Sequence, residues 1–293
     1  MSPPDGVVRL RLSSTLGVDT AGGSLTGRQL GSRKARTLLA LLASARGRAV
    51  GTDRIVDAVW HDEPPADPAA NVATLVSRLR RVVGPDLVAG LPGSYALGGT
   101  WSLDLVEAEH WCAQAANRVA AGEHAVAESA AAAAQELLGS GPALPDEADD
   151  DWVVQVRRES DALRREARHH RVAALLVLDP GRAVAAASAG LVPDPYDERA
   201  VRDLMCALAA DGQGAAALAA YDRLARTLRE DLGTEPDSAT ADLHLSLLRD
   251  PGAATVPDGA GPAPEAPGPV TLVGREDQLD LLHRAWSSAV AGG

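Results

Sequence analysis

The chain has 293 residues, 46 % of them apolar and 3 % aromatic, with no Phe, so its cores must be built from Leu, Val and Ala, which favours helices. The formal charge of −12 hides an asymmetry. Residues 1–100 carry 12 Arg and Lys against 8 Asp and Glu, and the remainder carries 16 against 32. No apolar run approaches a membrane span, and the N-terminus lacks a signal pattern, so a cytoplasmic protein with no membrane partner is expected. Cys112 and Cys206 are too isolated to form a metal or redox pair and read as inert thiols.

Val7–Leu12 alternates apolar and basic residues, the period of a half-buried strand. Leu16–Asp19 and Ser24–Thr26 flank the turn signal Ala21-Gly22-Gly23, which predicts an antiparallel N-terminal sheet. Ser32 then reads as the N-cap of a helix whose apolar face is Leu38, Leu39, Leu41 and Leu42. Thr52 reads as the cap of a short second helix, with Ile55, Val56, Val59 and Trp60 on its inner side. The loop His61–Pro68 is acidic and rich in proline. It leads to a third helix, Asn71–Val83, with an apolar stripe of Val72, Leu75, Val76, Leu79, Val82 and Val83. Its other side presents Asn71, Thr74, Ser77, Arg78 and Arg81. Two short strands around Leu91–Ser94 complete a hairpin.

Residues 27–52 and 68–85 hold Arg28, Arg33, Lys34, Arg36, Arg46, Arg48, Arg78, Arg80 and Arg81 without one acid, the composition of a phosphate-binding face. Asn, Thr, Ser and Arg on a helix face can address base edges and phosphates, and a following hairpin can lie along the backbone as a wing. These features point to a winged helix-turn-helix domain over residues 1–100. From Asp104 the chain turns into Ala-rich helical segments over 104–121, 123–138, 150–178, 180–190, 196–210, 213–231 and 236–249, with short Gly/Pro/Asp breaks. The last pairs have the small residues, and the Tyr221 position, of a degenerate TPR-like repeat. The fold class expected is therefore mainly α with a small α+β part, the helical domain spanning 101–250. Residues 251–269 are a Pro/Gly/Ala linker, and 270–293 hold a short strand-like piece and one amphipathic helix.

The stretch from Leu30 to Pro85 resembles the Streptomyces antibiotic regulatory protein (SARP) family and its AfsR-like members. The matching features are Arg33-Lys34, the segment DRIVDAVW, Asn71 and Ser77–Arg81. Leu91–Leu97 resembles the family's wing, except that Ser94 separates Gly93 from Tyr95. Residues 104–249 resemble its bacterial transcriptional activation domain, and the tail VGREDQLDLL resembles the entry to an NTPase module. No GxxxxGK[ST] loop follows, so a fragment of a longer regulator is expected, with no cofactor and no catalytic activity of this chain.

The resemblance implies an OmpR-type DNA-binding domain and an activator that binds direct repeats near the promoter −35 region, as a pair on DNA. It would recruit RNA polymerase with its sigma factor at secondary-metabolite genes. Phosphate contacts are assigned to Arg33, Lys34, Arg48, Arg80 and the wing (Ser94, Tyr95). Base readout is assigned to Asn71, Thr74, Ser77, Arg78 and Arg81, and the polymerase-contact loop to Asp62, Glu63 and Asp67. Several residues keep a plainer reading. Asn71 can simply cap the helix, Arg78 can form a salt bridge, Tyr95 can pack the hairpin on the core, and the loop can be a proline-stiffened turn. His169 and His170 point to different faces and make a poor metal pair, and Asp146–Asp151 lacks the pattern of a calcium loop. The rival reading is a helical interaction scaffold that binds protein and not DNA.

Overall fold

Leu10 is the pivot of the N-terminal sheet. It is fully buried in β1 (Val8–Arg11), with Val18 of antiparallel β2 (Gly17–Thr20) on one side and Leu103 of parallel β7 (Trp101–Leu103) on the other. β3 (Gly23–Thr26) closes the edge, giving the order β3-β2-β1-β7. The computed structural model describes residues 7–191 and 194–250, so the expected linker and the NTPase-like tail lie outside the described residues. The antiparallel pairing was legible, but the parallel strand was not. Three residues after a Gly-Gly turn carry too short a pattern, and β7 takes the N-terminal sheet past residue 100.

Helix α1 (Arg33–Ser44) starts where Ser32 Oγ accepts a hydrogen bond from Ala35 N at 3.3 Å. It then buries Leu38, Leu39, Leu41 and Leu42 on every side, because sheet and helices surround it. Helix α2 (Thr52–Trp60) is capped by Gly51 and not by Thr52. Thr52 instead donates from both N and Oγ1 to Gly93 O, at 3.0 and 3.1 Å, which pins the hairpin turn to the helix start. A two-residue strand β4 (Val50–Gly51) joins β5 (Val88–Leu91) and β6 (Ser94–Leu97) in a second sheet, order β4-β6-β5. Pro92 and Gly93 form its turn, where Gly93 takes φ +66°, a region that side chains with a Cβ rarely adopt.

Helix α3 (Pro68–Val83) begins three residues before Asn71. Asp67 is its N-cap, accepting from Ala70 N at 3.0 Å, and Pro68 occupies the first turn where no N–H is needed. The stripe Val72, Leu75, Val76, Leu79 and Val83 is buried, whereas Val82 emerges at the rim, 39 % exposed.

The helical part runs through α4 (Asp104–Ala120), α5 (His124–Leu138), α6 (Asp151–Leu178), α7 (Pro180–Ser188), α8 (Glu198–Ala210), α9 (Gly214–Thr227) and α10 (Ser238–Arg249), with a π-helical turn at Leu228–Leu232. Neighbours pack pairwise in chain order. Its first half does not have a separate core. One cluster of buried side chains continues from Leu10 and Leu79 through Leu105, Cys112 and Leu138 to Leu163 and Ala167. A second core begins at Val172 and holds α7 to α10.

Polar ties reinforce the shared core. Asp104, 1 % exposed, accepts from Leu12 N and Ser13 N and from the Ser13 hydroxyl, joining α4 to the end of β1. Burial pushes its carboxyl above the usual carboxylate range, and the hydrogen bonds from Ser13, Leu12 and Leu105 oppose the shift. Arg9 pairs with Glu107 at 3.0 Å, and Arg46 pairs with Glu109 at 2.9 Å and with Glu159. Arg164 of α6 reaches Ser13 O at 2.8 Å.

Candidate nucleic-acid interface

The exposed side of α3 carries Asn71, Thr74, Ser77, Arg78 and Arg81. A 3.6-residue period places 71, 74, 78 and 81 close together, opposite the buried stripe. Asn71 is not the cap. Its Nδ2 donates to Asp67 O at 2.8 Å, one turn back, and Thr74 Oγ1 donates to Ala70 O at 2.8 Å. Arg78 and Arg81 make no hydrogen bond or ion pair among the described residues, so the salt bridge open to Arg78 on sequence grounds is not formed. Both guanidiniums stand in solvent with all donors available.

Arg80, assigned a phosphate contact on sequence grounds, is tied to the hairpin through one of its donors. It is half-buried, and its Nε donates to Val88 O at 2.9 Å, so it straps the hairpin to the back of α3 rather than facing outward with Arg78. An Arg80→Ala variant should therefore bind DNA more weakly with an unchanged salt slope. A phosphate contact would instead lower that slope by about one counterion. Filter binding of labelled promoter DNA at four or five salt concentrations separates the two.

The hairpin itself carries no Arg or Lys between Asp86 and Gly99. Ser94 and Tyr95 are half-buried; Tyr95 packs against the core and pairs with Val50. The tip is apolar, with Leu91 49 % exposed. This wing can offer backbone amides and apolar contact, but no cation.

The basic stretch 27–52 is divided by the fold. Arg46 is taken up by Glu109 and Glu159, Arg36 donates to Gly31 O at 3.1 Å, and Arg48 Nε donates to Ala45 O at 3.2 Å. Arg33 and Lys34 stay exposed at the start of α1, with Lys34 Nζ 4.9 Å from the Trp60 ring centroid, a cation–π distance. They line a cavity of about 250 Å³ shared with His61, Glu63, Glu147 and Asp150. Sequence reasoning missed this meeting of the acidic run with the N-terminal domain. Thr37 Oγ1 donates to Glu147 Oε2 at 2.7 Å, and His61 Nδ1 lies 3.7 Å from Asp150. The only advance signal was the density of acids in 146–151.

Of the three acids expected to face a protein partner, Asp62 and Glu63 are exposed, while Asp67 is committed to capping α3. The thiols of Cys112 and Cys206 are buried and pushed up to about 12, chiefly by burial, which leaves them unreactive. His169 pairs with Asp203 at 2.8 Å and His170 faces Glu166 at 3.6 Å. Among the described residues there is no group of His, Cys, Asp or Glu that could hold a metal, and no helix long and apolar enough to cross a membrane.

Comparison with known proteins completes the picture. Residues 29–91 match the family described as the C-terminal domain of transcriptional regulatory proteins, and 103–248 match the bacterial transcriptional activator domain. The regulatory protein AfsR of Streptomyces griseus is 31 % identical over 232 residues, covering 75 % of this chain and 22 % of its own length. The transcriptional regulatory protein EmbR of Mycobacterium tuberculosis is 30 % identical over 237 residues, covering 75 % of this chain and 58 % of that protein. The transcriptional regulator RedD of Streptomyces coelicolor is 26 % identical, covering 92 % and 78 %. A solved structure of Mycobacterium tuberculosis EmbR in complex with a low-affinity phosphopeptide superposes with a TM-score of 0.74 at 25 % identity, over 83 % of this chain and 65 % of that one. The chain thus spans less than two thirds of AfsR and EmbR, and the matched families are regulatory rather than enzymatic. A winged-helix domain and a transcriptional activator domain in this order, with these relatives, establish that the chain belongs to the SARP family of transcriptional regulators.

Proposed function

We propose that the chain is a sequence-specific activator that lays α3 in the major groove of promoter DNA. The observation that carries this reading is the pair Arg78 and Arg81, exposed and without a partner among the described residues, beside Asn71, Thr74 and Ser77 on a helix fixed by a buried stripe. Arg can address guanine O6 and N7 in bidentate fashion, and Asn can address adenine. Arg33, Lys34 and Arg48 supply phosphate contacts, with Ser94, Tyr95 and the wing backbone beside them. Two copies bind side by side on direct repeats near the −35 region, recruit RNA polymerase with its sigma factor, and switch on secondary-metabolite genes in the cytoplasm.

Footprinting on promoters around the regulator's own gene tests the reading. Protection of repeated half-sites, with affinity falling steeply as salt rises, supports it. Binding indifferent to sequence and salt would leave only the scaffold reading. The acidic loop is tested separately. Neutralising Asp62 and Glu63 to Asn and Gln should abolish activation in a purified transcription assay while the footprint stays unchanged, because neither acid supports the fold. Undiminished transcription would remove the loop from the polymerase contact.

A further inference from the structure

Asp161, Arg164, Arg165 and Arg168 lie along one side of α6. That side floors a groove of about 430 Å³, walled by Ser140–Pro142 after α5 and by Gly190, Asp194 and Asp197 before α8. Its arginines differ sharply in how their donors are used. Arg164 is fully engaged, donating to the carbonyls of Ser13, Leu138, Gly139 and Gly141 and to Asp161. Arg168 is not. Its side chain is only 13 % exposed, yet it makes no hydrogen bond among the described residues, and its nearest carboxylate, Asp197, is 3.7 Å away. Its guanidinium lies so close over Gly190 that a Cβ there would collide with Nε. Arg165, on the same floor, and Arg199, in the first turn of α8, are exposed and make no hydrogen bond or ion pair among the described residues.

A guanidinium this buried ordinarily has its donors met. Those of Arg168 are not sealed in the core but open to the groove. Burial holds its pKa below the ordinary arginine value; the charges of Arg165 and Arg199 push the same way, and Asp197 and Asp203 oppose them. The carboxylates of the groove are partly engaged elsewhere, and Asp197 Oδ2 is also the long ion-pair partner of Arg168. Asp161 holds Arg164, Asp197 caps α8 through Ala200 N at 3.0 Å, and Asp194 accepts from Tyr196 N at 2.9 Å. Glu166, also on α6, faces His170. Arg165 and Arg199 thus bring cationic donors beside Arg168 that meet no carboxylate among the described residues, and Arg168 itself has only the long pair with Asp197 Oδ2.

We propose that this groove binds a small phosphorylated metabolite, with the phosphate groups seated on Arg165 and Arg168. One carboxylate would satisfy a single guanidinium, whereas a phosphoryl group brings nearly two negative charges and three acceptor oxygens. The groove volume falls in the range of small-ligand sites. Arg168 is placed to contact such a group directly, and Gly190 gives it the clearance.

The test titrates inorganic pyrophosphate into the full chain, following heat of binding and Tm, against sodium chloride at matched ionic strength. Saturable binding with a Kd below a millimolar is expected, with a Tm that climbs as ligand rises. Arg165→Gln and Arg168→Gln should each weaken binding tenfold or more without lowering the unliganded Tm, and Arg226→Gln, outside the groove, should change nothing. No saturable binding by the parent, or equal binding by the groove variants, overturns the proposal. So does a loss of promoter affinity in those variants, which would give the arginines to the DNA backbone instead. Because promoter binding is read in its own arm, failure here is distinguishable from failure of the DNA-binding reading.

Discussion

Arg78→Ala will lose specific promoter binding while the protein melts at the parent temperature. The Arg78 side chain is exposed, makes no ion pair or hydrogen bond among the described residues, and lies outside the stripe that seats α3. A good bidentate contact to a base is worth about 1–3 kcal/mol of discrimination, roughly a ten- to hundredfold change in affinity. Non-specific binding will fall much less, because other cations supply most of the phosphate attraction. Gel-shift titration on the footprinted site and on a scrambled duplex, with circular dichroism for the fold, gives the required comparison. Equal affinity of Arg78→Ala and the parent for the specific site would remove Arg78 from base readout. Arg78→Lys sharpens the test, since Lys keeps the charge but not the fork, and specific binding should remain impaired.

The sequence made α3, the proposed recognition helix, legible because its physics is local. A 3.6-residue stripe, a stop at Gly84 and an acid-free outer face are all contained within sixteen residues of α3. The cap at Asp67 was legible in principle, as an Asp immediately before Pro68, but its place in an acidic loop suggested a partner contact. The long-range features were not legible. β4 and β7 are two and three residues long and exist only because β6 and β1 offer them edges. Arg80 looks like Arg78 in sequence; only the position of β5 commits its Nε to Val88. The basic stretch 27–52 suffered the same fate, since Glu109 and Glu159 are sixty and more residues from the Arg46 they neutralise.

These ties bear on how an acidic partner can coexist with DNA binding. Charge counting alone sets a basic module against an acidic one and suggests a weakened hold on DNA. The fold gives the acids definite places. Glu107, Glu109 and Glu159 neutralise Arg9 and Arg46 at the shared core, while Arg78 and Arg81 on α3 stay unpaired among the described residues. In the helical domain, the acids nearest the proposed DNA face are Glu147 and Asp150, beside Arg33 and Lys34; the acids farther off are screened by salt at physiological strength over about 8 Å. The joint is built as part of one core, so the activator domain is held in a fixed pose on the DNA-binding domain rather than swinging from it.

Asp104 is where that joint should break. Asp104→Ala strips the partner from Leu12 N, Ser13 N and the Ser13 hydroxyl at a site 1 % exposed. Ser13 keeps one bond, from its hydroxyl to Leu137 O at 2.9 Å, but the amides of Leu12, Ser13 and Leu105 lose their Asp104 acceptor. A buried amide left without its acceptor costs about 1–3 kcal/mol, so the loss is a large share of the stability of a typical domain. Because β1, α1 and α4 share one core, the loss should appear as a single lowered transition for residues on both sides of position 104. Denaturant unfolding of two single-tryptophan variants, one keeping only Trp60 and one keeping only Trp152, reads both sides. Asp104→Asn keeps acceptor capacity at one oxygen and should recover part of the loss. Coincident, lowered midpoints confirm the joint; an unchanged midpoint in Asp104→Ala would mean that packing alone holds the two domains together.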